Sequence, residues 1–240
     1  MSILKRIFFI ISILFVAVLS LSAQREKVKN QPYADQKRFH LGFLLGMRSQ
    51  DMLLTNNGIE SDGEVWFAEI PGYSPGFTVG VIGDMCMNRY FNLRFTPTVH
   101  FGDKKFVFKR PDGPEEADNE FSTTVRSNYL TFPLSVKYSA FRVNNYRPYI
   151  TAGFYGGLDL GRKKGNPILL KGADLGIEVS LGCDIYLSFF KLCPELKFSF
   201  GLVDLLEKDR SDLADPDIIK YPSSLSKATS RMVSLIFNFE

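Results

Sequence analysis

The stretch Tyr90–Phe101 reads YFNLRFTPTVHF. Phe91, Leu93, Phe95, Pro97, Val99 and Phe101 alternate with Asn92, Arg94, Thr96, Thr98 and His100, and a period of two marks a β-strand with one apolar face. Ala173–Leu187 repeats the sorting, with Leu175, Ile177, Val179, Leu181, Cys183, Ile185 and Leu187 opposed to Asp174, Gly176, Glu178, Ser180, Gly182, Asp184 and Tyr186. Leu192–Leu202 follows the same rule, and weaker versions occupy Phe39–Met47, Gly76–Met87, Val125–Tyr138, Tyr146–Leu158 and Arg231–Phe239. The pattern predicts eight strands.

The connections alternate as well. Those at Met87–Tyr90, Ser139–Asn145 and Ser188–Phe190 are short, whereas those near 48–75, 102–124, 159–172 and 203–230 are long and rich in Gly, Pro, Asn and Asp. An even number of antiparallel strands with short turns at one end and long loops at the other is the pattern of an outer-membrane barrel, with both termini on the periplasmic side. A soluble barrel of lipocalin type shares the alternation, and volume separates the two. An eight-stranded interior has room for about one set of side chains, too little for every large residue of the apolar face. The polar face is instead interspersed with Gly42, Gly46, Gly80, Gly153, Gly157, Gly176, Gly182 and Gly201, which suits a crowded lumen. The expected fold is therefore an all-β, eight-stranded, antiparallel, up-and-down transmembrane barrel of the OmpX/OmpA type. Pro97 and Pro133 fall mid-strand, where a missing N–H breaks a ladder, and are expected to mark bulges. Pro148 and Pro194 fall near strand starts, where the loss is small.

Met1–Ala23 carries Lys5 and Arg6, an apolar run from Ile7 to Val18 and a small-residue end, the signature of a cleaved signal peptide. The expected organisation is a signal peptide at 1–23, a polar periplasmic arm at 24–38 with a flexible, basic character, and the barrel domain at 39–240. A mean hydropathy of −0.03 averages two opposite faces. The net charge of +3 and a pI near 8.6 are too mild for a nucleic-acid partner. Three cysteines without CxxC spacing offer neither a disulfide framework nor a metal site, and no cofactor or small-molecule substrate is expected.

Parity places Arg94, Lys137, Arg147, Asp159, Asp174, Glu178, Asp184, Glu195, Lys197 and Arg231 inside the barrel. Both signs are present, and charges in a narrow, dry lumen must pair, so these residues are expected to form a salt-bridged plug. A proton or ion path is the alternative, and a conduit for folded protein is excluded because open aqueous channels need about 16 strands. No catalytic motif is present. His100, Asp103 and Ser49 are the one set that could assemble near the outer rim, and an enzyme is not expected. In the loops, Trp66 and Phe67 are candidate binding anchors, and Arg162, Lys163 and Lys164 form a compact basic cluster.

Three blocks carry a resemblance. Leu130–Tyr138 (LTFPLSVKY), Asn145–Gly153 (NYRPYITAG) and Leu175–Leu187 running into Phe190–Leu202 (FKLCPELKFSFGL) resemble the PorT (SprT) outer-membrane β-barrel proteins of Bacteroidetes, over about Phe39–Glu240. The last block, with Tyr186, Phe190, Pro194, Glu195 and the Phe-Ser-Phe-Gly stretch, is the most particular. The resemblance implies a role in type IX protein secretion and brings no catalytic residues. Membrane lipid and other envelope secretion proteins are the partners it implies. The rival is a stand-alone structural or adhesion barrel whose extracellular loops bind host or matrix. A small outer-membrane hydrolase or acyltransferase comes third.

Overall fold

In the computed structural model, the described residues are 29–56, 67–69, 74–109, 120–161, 169–207 and 225–240. The expected signal peptide, Trp66 and Arg162–Lys164 lie outside them. Eleven strands follow a short 3-10 helix (Ala34–Gln36): β1 (Phe39–Asn56), β2 (Phe67–Glu69), β3 (Ser74–Cys86), β4 (Phe91–Phe95), β5 (Thr98–Lys109), β6 (Glu120–Arg126), β7 (Tyr129–Ser139), β8 (Tyr146–Asp159), β9 (Ala173–Tyr186), β10 (Lys191–Gly201) and β11 (Leu225–Phe239). β4 and β5 together make one staff of the barrel, so the ring is β1, β3, β4 with β5, β7, β8, β9, β10 and β11. It closes because β1 pairs antiparallel with both β11 and β3, with Phe43 opposite Phe239 and Phe39 opposite Met85. The eight expected strands are present.

The pleat sends alternate side chains to opposite faces. Leu41, Phe43, Val81, Phe95, Leu134, Phe154, Leu181 and Leu235 are exposed on the outer wall, whereas Thr78, Arg94, Ser135, Thr151, Glu178 and Asn238 are buried in the lumen. The chain enters β1 and leaves β11 at the short-turn end, which faces the periplasm in outer-membrane barrels.

The two mid-strand prolines do not make bulges. Phe95 faces Leu134 and Thr98 faces Thr131, and on the other side Gly83 faces Phe95 and Gly80 faces Thr98. No residue is inserted in either ladder, so Pro97 and Pro133 cost hydrogen bonds without shifting register. Their carbonyls still accept, from Val81 N at 3.1 Å and from Thr96 N at 3.1 Å. The Thr96 carbonyl, deprived of a Pro133 N–H, accepts the Thr98 hydroxyl at 2.6 Å. The same register continues outward as Asp103–Lys109 pair with Glu120–Arg126. One hairpin thus runs unslipped from Phe91 opposite Tyr138 to Lys109 opposite Glu120.

At about 3.3 Å per residue such staves are longer than a roughly 25 Å apolar band requires, even when tilted. The excess stands at the long-loop end, where β2 adds to β5. The long loops are consequently shorter than the sequence predicts. β1 continues to Asn56 and β11 begins at Leu225, because beyond the lipid the outer face turns polar, as at Ser49 and Asp51, and the alternation fades. Above the lipid the inner face turns apolar instead. Met52, Ala68, Phe106, Phe108, Leu170, Leu205, Leu206, Leu225 and Ala228 form a buried cluster with Leu54 and Phe121 packed against it. Asp204 Oδ1 accepts the Leu206 and Ala228 amides at 3.1 and 3.0 Å, fixing the chain after β10 beneath β11. This cluster caps the outer end of the lumen.

The opposite end is covered by 29–38. Asn30 N donates to Asn145 Oδ1 at 2.8 Å, Asn30 Nδ2 to the Tyr186 carbonyl at 3.0 Å and Gln31 Nε2 to the Leu187 carbonyl at 2.9 Å. His40 Nε2 lies 2.8 Å from the Ala34 carbonyl. The expectation of a free basic arm is corrected over these residues: one acid, Asp35, binds Arg147 at 3.1 Å and ties the segment across the mouth.

Candidate functional site in the barrel lumen

Between the two caps, strand parity delivers charged side chains from six staves into one interior. They form a chain of alternating sign. Glu178 meets Lys197 at 3.2 Å, Lys197 meets Glu195 at 3.7 Å and Glu195 meets Arg94 at 3.6 Å. Arg94 also binds Asp84 at 2.8 Å and Glu240. Glu240 pairs with Lys191, which lies 4.0 Å from Asp184, and Lys137 places its ammonium 2.8 Å from both Asp184 oxygens. The side chains of Lys137 and Asp184 are each 1% exposed.

Neutral groups satisfy what the ion pairs leave over. Asn92 Nδ2 donates to Asp84. Tyr149 donates to Glu195 Oε2 at 2.8 Å, and Asn238 Nδ2 to the same oxygen at 3.0 Å. Lys137 also sits 4.0 Å above the Tyr149 ring. The glycines make these positions possible. A Cβ on Gly182 would lie 2.4 Å from the Tyr149 ring, and one on Gly176 would lie 2.5 Å from the Tyr155 ring. Each tyrosine lies over a glycine of β9 and reaches a carboxylate with its hydroxyl, Tyr149 to Glu195 and Tyr155 to Asp174 at 3.2 Å.

Of the residues singled out by sequence, Arg94, Lys137, Glu178, Asp184, Glu195 and Lys197 join in this chain. Asp174 is buried nearer the outer end, bound by the Ser230 hydroxyl at 2.6 Å. Arg147 lies at the periplasmic mouth, donating to the Ala140 carbonyl at 3.0 Å as well as to Asp35. Arg231 is a correction. It is exposed and shares the outward parity of Val233, Leu235 and Phe237, facing Asp51 of β1. It stands above the apolar band, where a charge on the outer wall meets water rather than lipid.

Sequence reasoning missed Asp84, Lys191, Glu240 and Arg48. Parity was the signal in each case. Lys191 and Glu240 lie one residue beyond the expected strand ends, Arg48 one beyond the expected end of β1, and Asp84 sits in the weakly alternating β3. Burial works against the Glu240 charge, and Arg94 and Lys191 more than offset it, holding the carboxyl well below the usual carboxylate range. Arg48 is buried and donates to the Ser127 carbonyl at 3.2 Å.

The candidate catalytic set is not assembled. His100 points into the lumen, with Nδ1 3.0 Å from the Thr78 hydroxyl and Nε2 3.0 Å from the Thr131 hydroxyl, while Ser49 and Asp103 take the outward parity of their strands. A void of about 20 Å³ beside His100, Glu178 and Lys197 has room for about one water. Among the loop candidates, Phe67 is exposed in β2 opposite Lys109.

What this arrangement can do follows from its energetics. Removing one partner of a buried ion pair costs about 3–5 kcal/mol, so a network of this extent is a rigid filling. An open path for ions or polypeptide would require breaking several such pairs at once.

Comparison with known proteins places the chain in context. Residues 22–207 match the family described as outer membrane protein beta-barrel domain. No curated protein matches the sequence. Among solved structures, the chain is similar to the Neisserial surface protein A at 11% identity, with 84% of this chain and 98% of that one covered and a TM-score of 0.43. It is similar to the outer membrane protein OprG of Pseudomonas aeruginosa at 12% identity, with coverages of 84% and 92% and a TM-score of 0.46. The attachment invasion locus protein Ail of Yersinia pestis is a third, at 11% identity, with coverages of 83% and 96% and a TM-score of 0.32.

Proposed function

Because this chain belongs to the outer membrane protein beta-barrel domain family, we propose that it serves in the outer membrane as an accessory or assembly component of a type IX secretion system, without being the conduit. The resemblance of Leu175–Leu187 and Phe190–Leu202 to the PorT proteins carries the reading. That block supplies Glu178, Asp184, Lys191, Glu195 and Lys197, five members of the lumen network. A barrel filled by paired charges and capped at both ends supports a scaffold that other envelope proteins dock on, since it has no room for a passing chain.

Deletion of the gene tests the reading. Surface display of secreted cargo should fall, and undiminished display would overturn the proposal. Co-purification from mildly solubilised membranes separates it from the stand-alone adhesion barrel: a secretion component brings other envelope proteins with it, whereas the rival comes out alone. The tall hairpin of β5 and β6, with β2 beside it, is the feature that favours the rival, because it lifts a binding surface above the membrane. We assign no catalytic role, and replacing His100 should leave the secretion phenotype intact.

A further inference from the structure

A cleft of about 390 Å³ opens at the short-turn mouth, beside the 29–38 segment. Four cations line it, Lys29, Arg89, Arg142 and Arg147, against one carboxylate, Asp35. That carboxylate is already engaged by Arg147 at 3.1 Å, by Arg142 at 3.8 Å and by the Tyr186 hydroxyl. Arg142 is held in place by donating to the Asn144 carbonyl at 2.9 Å and by lying 3.6 Å above the Tyr186 ring. Arg147 is held by the Ala140 and Arg89 carbonyls. Among the described residues neither Lys29 nor Arg89 pairs with a carboxylate. The Arg89 guanidinium instead lies 4.5 Å over the Phe141 ring, so its edge keeps donors for a further acceptor. The result is a preorganised surplus of positive charge.

The cleft also borders the lipid. Tyr90 packs edge-on against Phe141 at 5.6 Å and lies 6.4 Å from Tyr138, which lies 5.1 Å from Phe91. Phe141, Tyr138 and Phe91 are exposed, and Val136 and Leu134 continue the apolar wall along β7. Aromatic residues at this level are those that anchor a barrel at the membrane interface. A ligand suited to both features has an anionic head and apolar tails.

We propose that this cleft binds the phosphate group of a phospholipid whose acyl chains lie along the outer face of β4 and β7. The site is independent of any role in secretion and requires only that the barrel sit in a membrane. The test uses the purified full chain in detergent micelles, with native mass spectrometry reading retained lipid and gel mobility of unheated samples reading folding. The wild type should retain phosphatidylglycerol, and not diacylglycerol of the same acyl chains. The double variant Lys29→Gln/Arg89→Gln should lose about tenfold in retention, as expected for deleted charge-assisted hydrogen bonds. Lys37→Gln, an exposed lysine of the same segment outside the cleft, should change nothing. Equal retention of diacylglycerol would show that tails alone adsorb and would overturn the proposal without recourse to any variant. Absence of retained phosphatidylglycerol, unchanged retention in the folded double variant, or an equal loss in Lys37→Gln would overturn it as well. Displacement of the lipid by millimolar inorganic phosphate would assign the cleft to the free ion instead.

Discussion

Asp184 receives Lys137 on both oxygens and lies within 4.0 Å of Lys191, deep inside the barrel. Two of these three residues were legible from parity alone, yet parity could not say which charges meet, because Lys137 and Asp184 come from β7 and β9 with β8 between them. The contact depends on curvature. Asp184→Asn leaves the Lys137 ammonium buried without its counter-ion, and it should lower stability by about 3–5 kcal/mol, read as a shift of the urea midpoint for protein refolded into vesicles. The double variant Lys137→Met/Asp184→Leu removes both charges, and it should be destabilised by less than the single change. Arg231 shows the converse limit. Its strand alternates only weakly, with Met232 and Ile236 on the inner face, and the apolar residues Val233, Leu235 and Phe237 set the sign of the alternation and put Arg231 outside.

At the scale of the element, the prolines show what a ladder tolerates. Pro97 and Pro133 sit on neighbouring strands at the same height, each costs one N–H, and the register holds on every side. Pairing through the rest of the long hairpin decides the register, since a one-residue slip would turn every lumen charge of β4 and β7 into lipid. Pro133→Ala should therefore keep the fold and restore a donor toward the Thr96 carbonyl. The expected gain is about 0.5–1.5 kcal/mol, accompanied by a slowly exchanging amide at position 133; a rearranged exchange pattern on β7 would contradict an unslipped register. The strand extensions past the bilayer were not legible in the sequence. There the outer face meets water and the inner face packs against loop residues such as Leu170 and Leu205, which removes the contrast on which period-two reading depends.

For the whole molecule, the lumen is closed by three independent devices: the apolar cap around Phe106 and Phe108, the ionic filling, and the 29–38 segment. Independence has a measurable consequence. Phe106→Ala should cost about 3–5 kcal/mol through the cavity it leaves, and in planar bilayers neither the wild type nor this variant should carry a steady porin-like current, because the ion pairs below the cap remain. A steady current from the folded wild type would refute the filled-barrel picture. The candidate site was half visible before the fold was known. Six members of the charge chain follow from parity, whereas Asp84, Lys191 and Glu240 sit in weak or marginal strand positions, and Asp35 reads as one of two acids in a basic arm.

By itself the sequence determined the strand number, the apolar wall and the polar interior, because a pleated chain with period two has no other way to separate Phe, Leu and Val from Asp, Glu, Lys and Arg. Only the tertiary structure decided how the interior is satisfied and where it ends. Arg94 reaches Glu240 at the far end of the chain, and Asp35 reaches Arg147, because ring closure and register bring together residues that no local spacing relates.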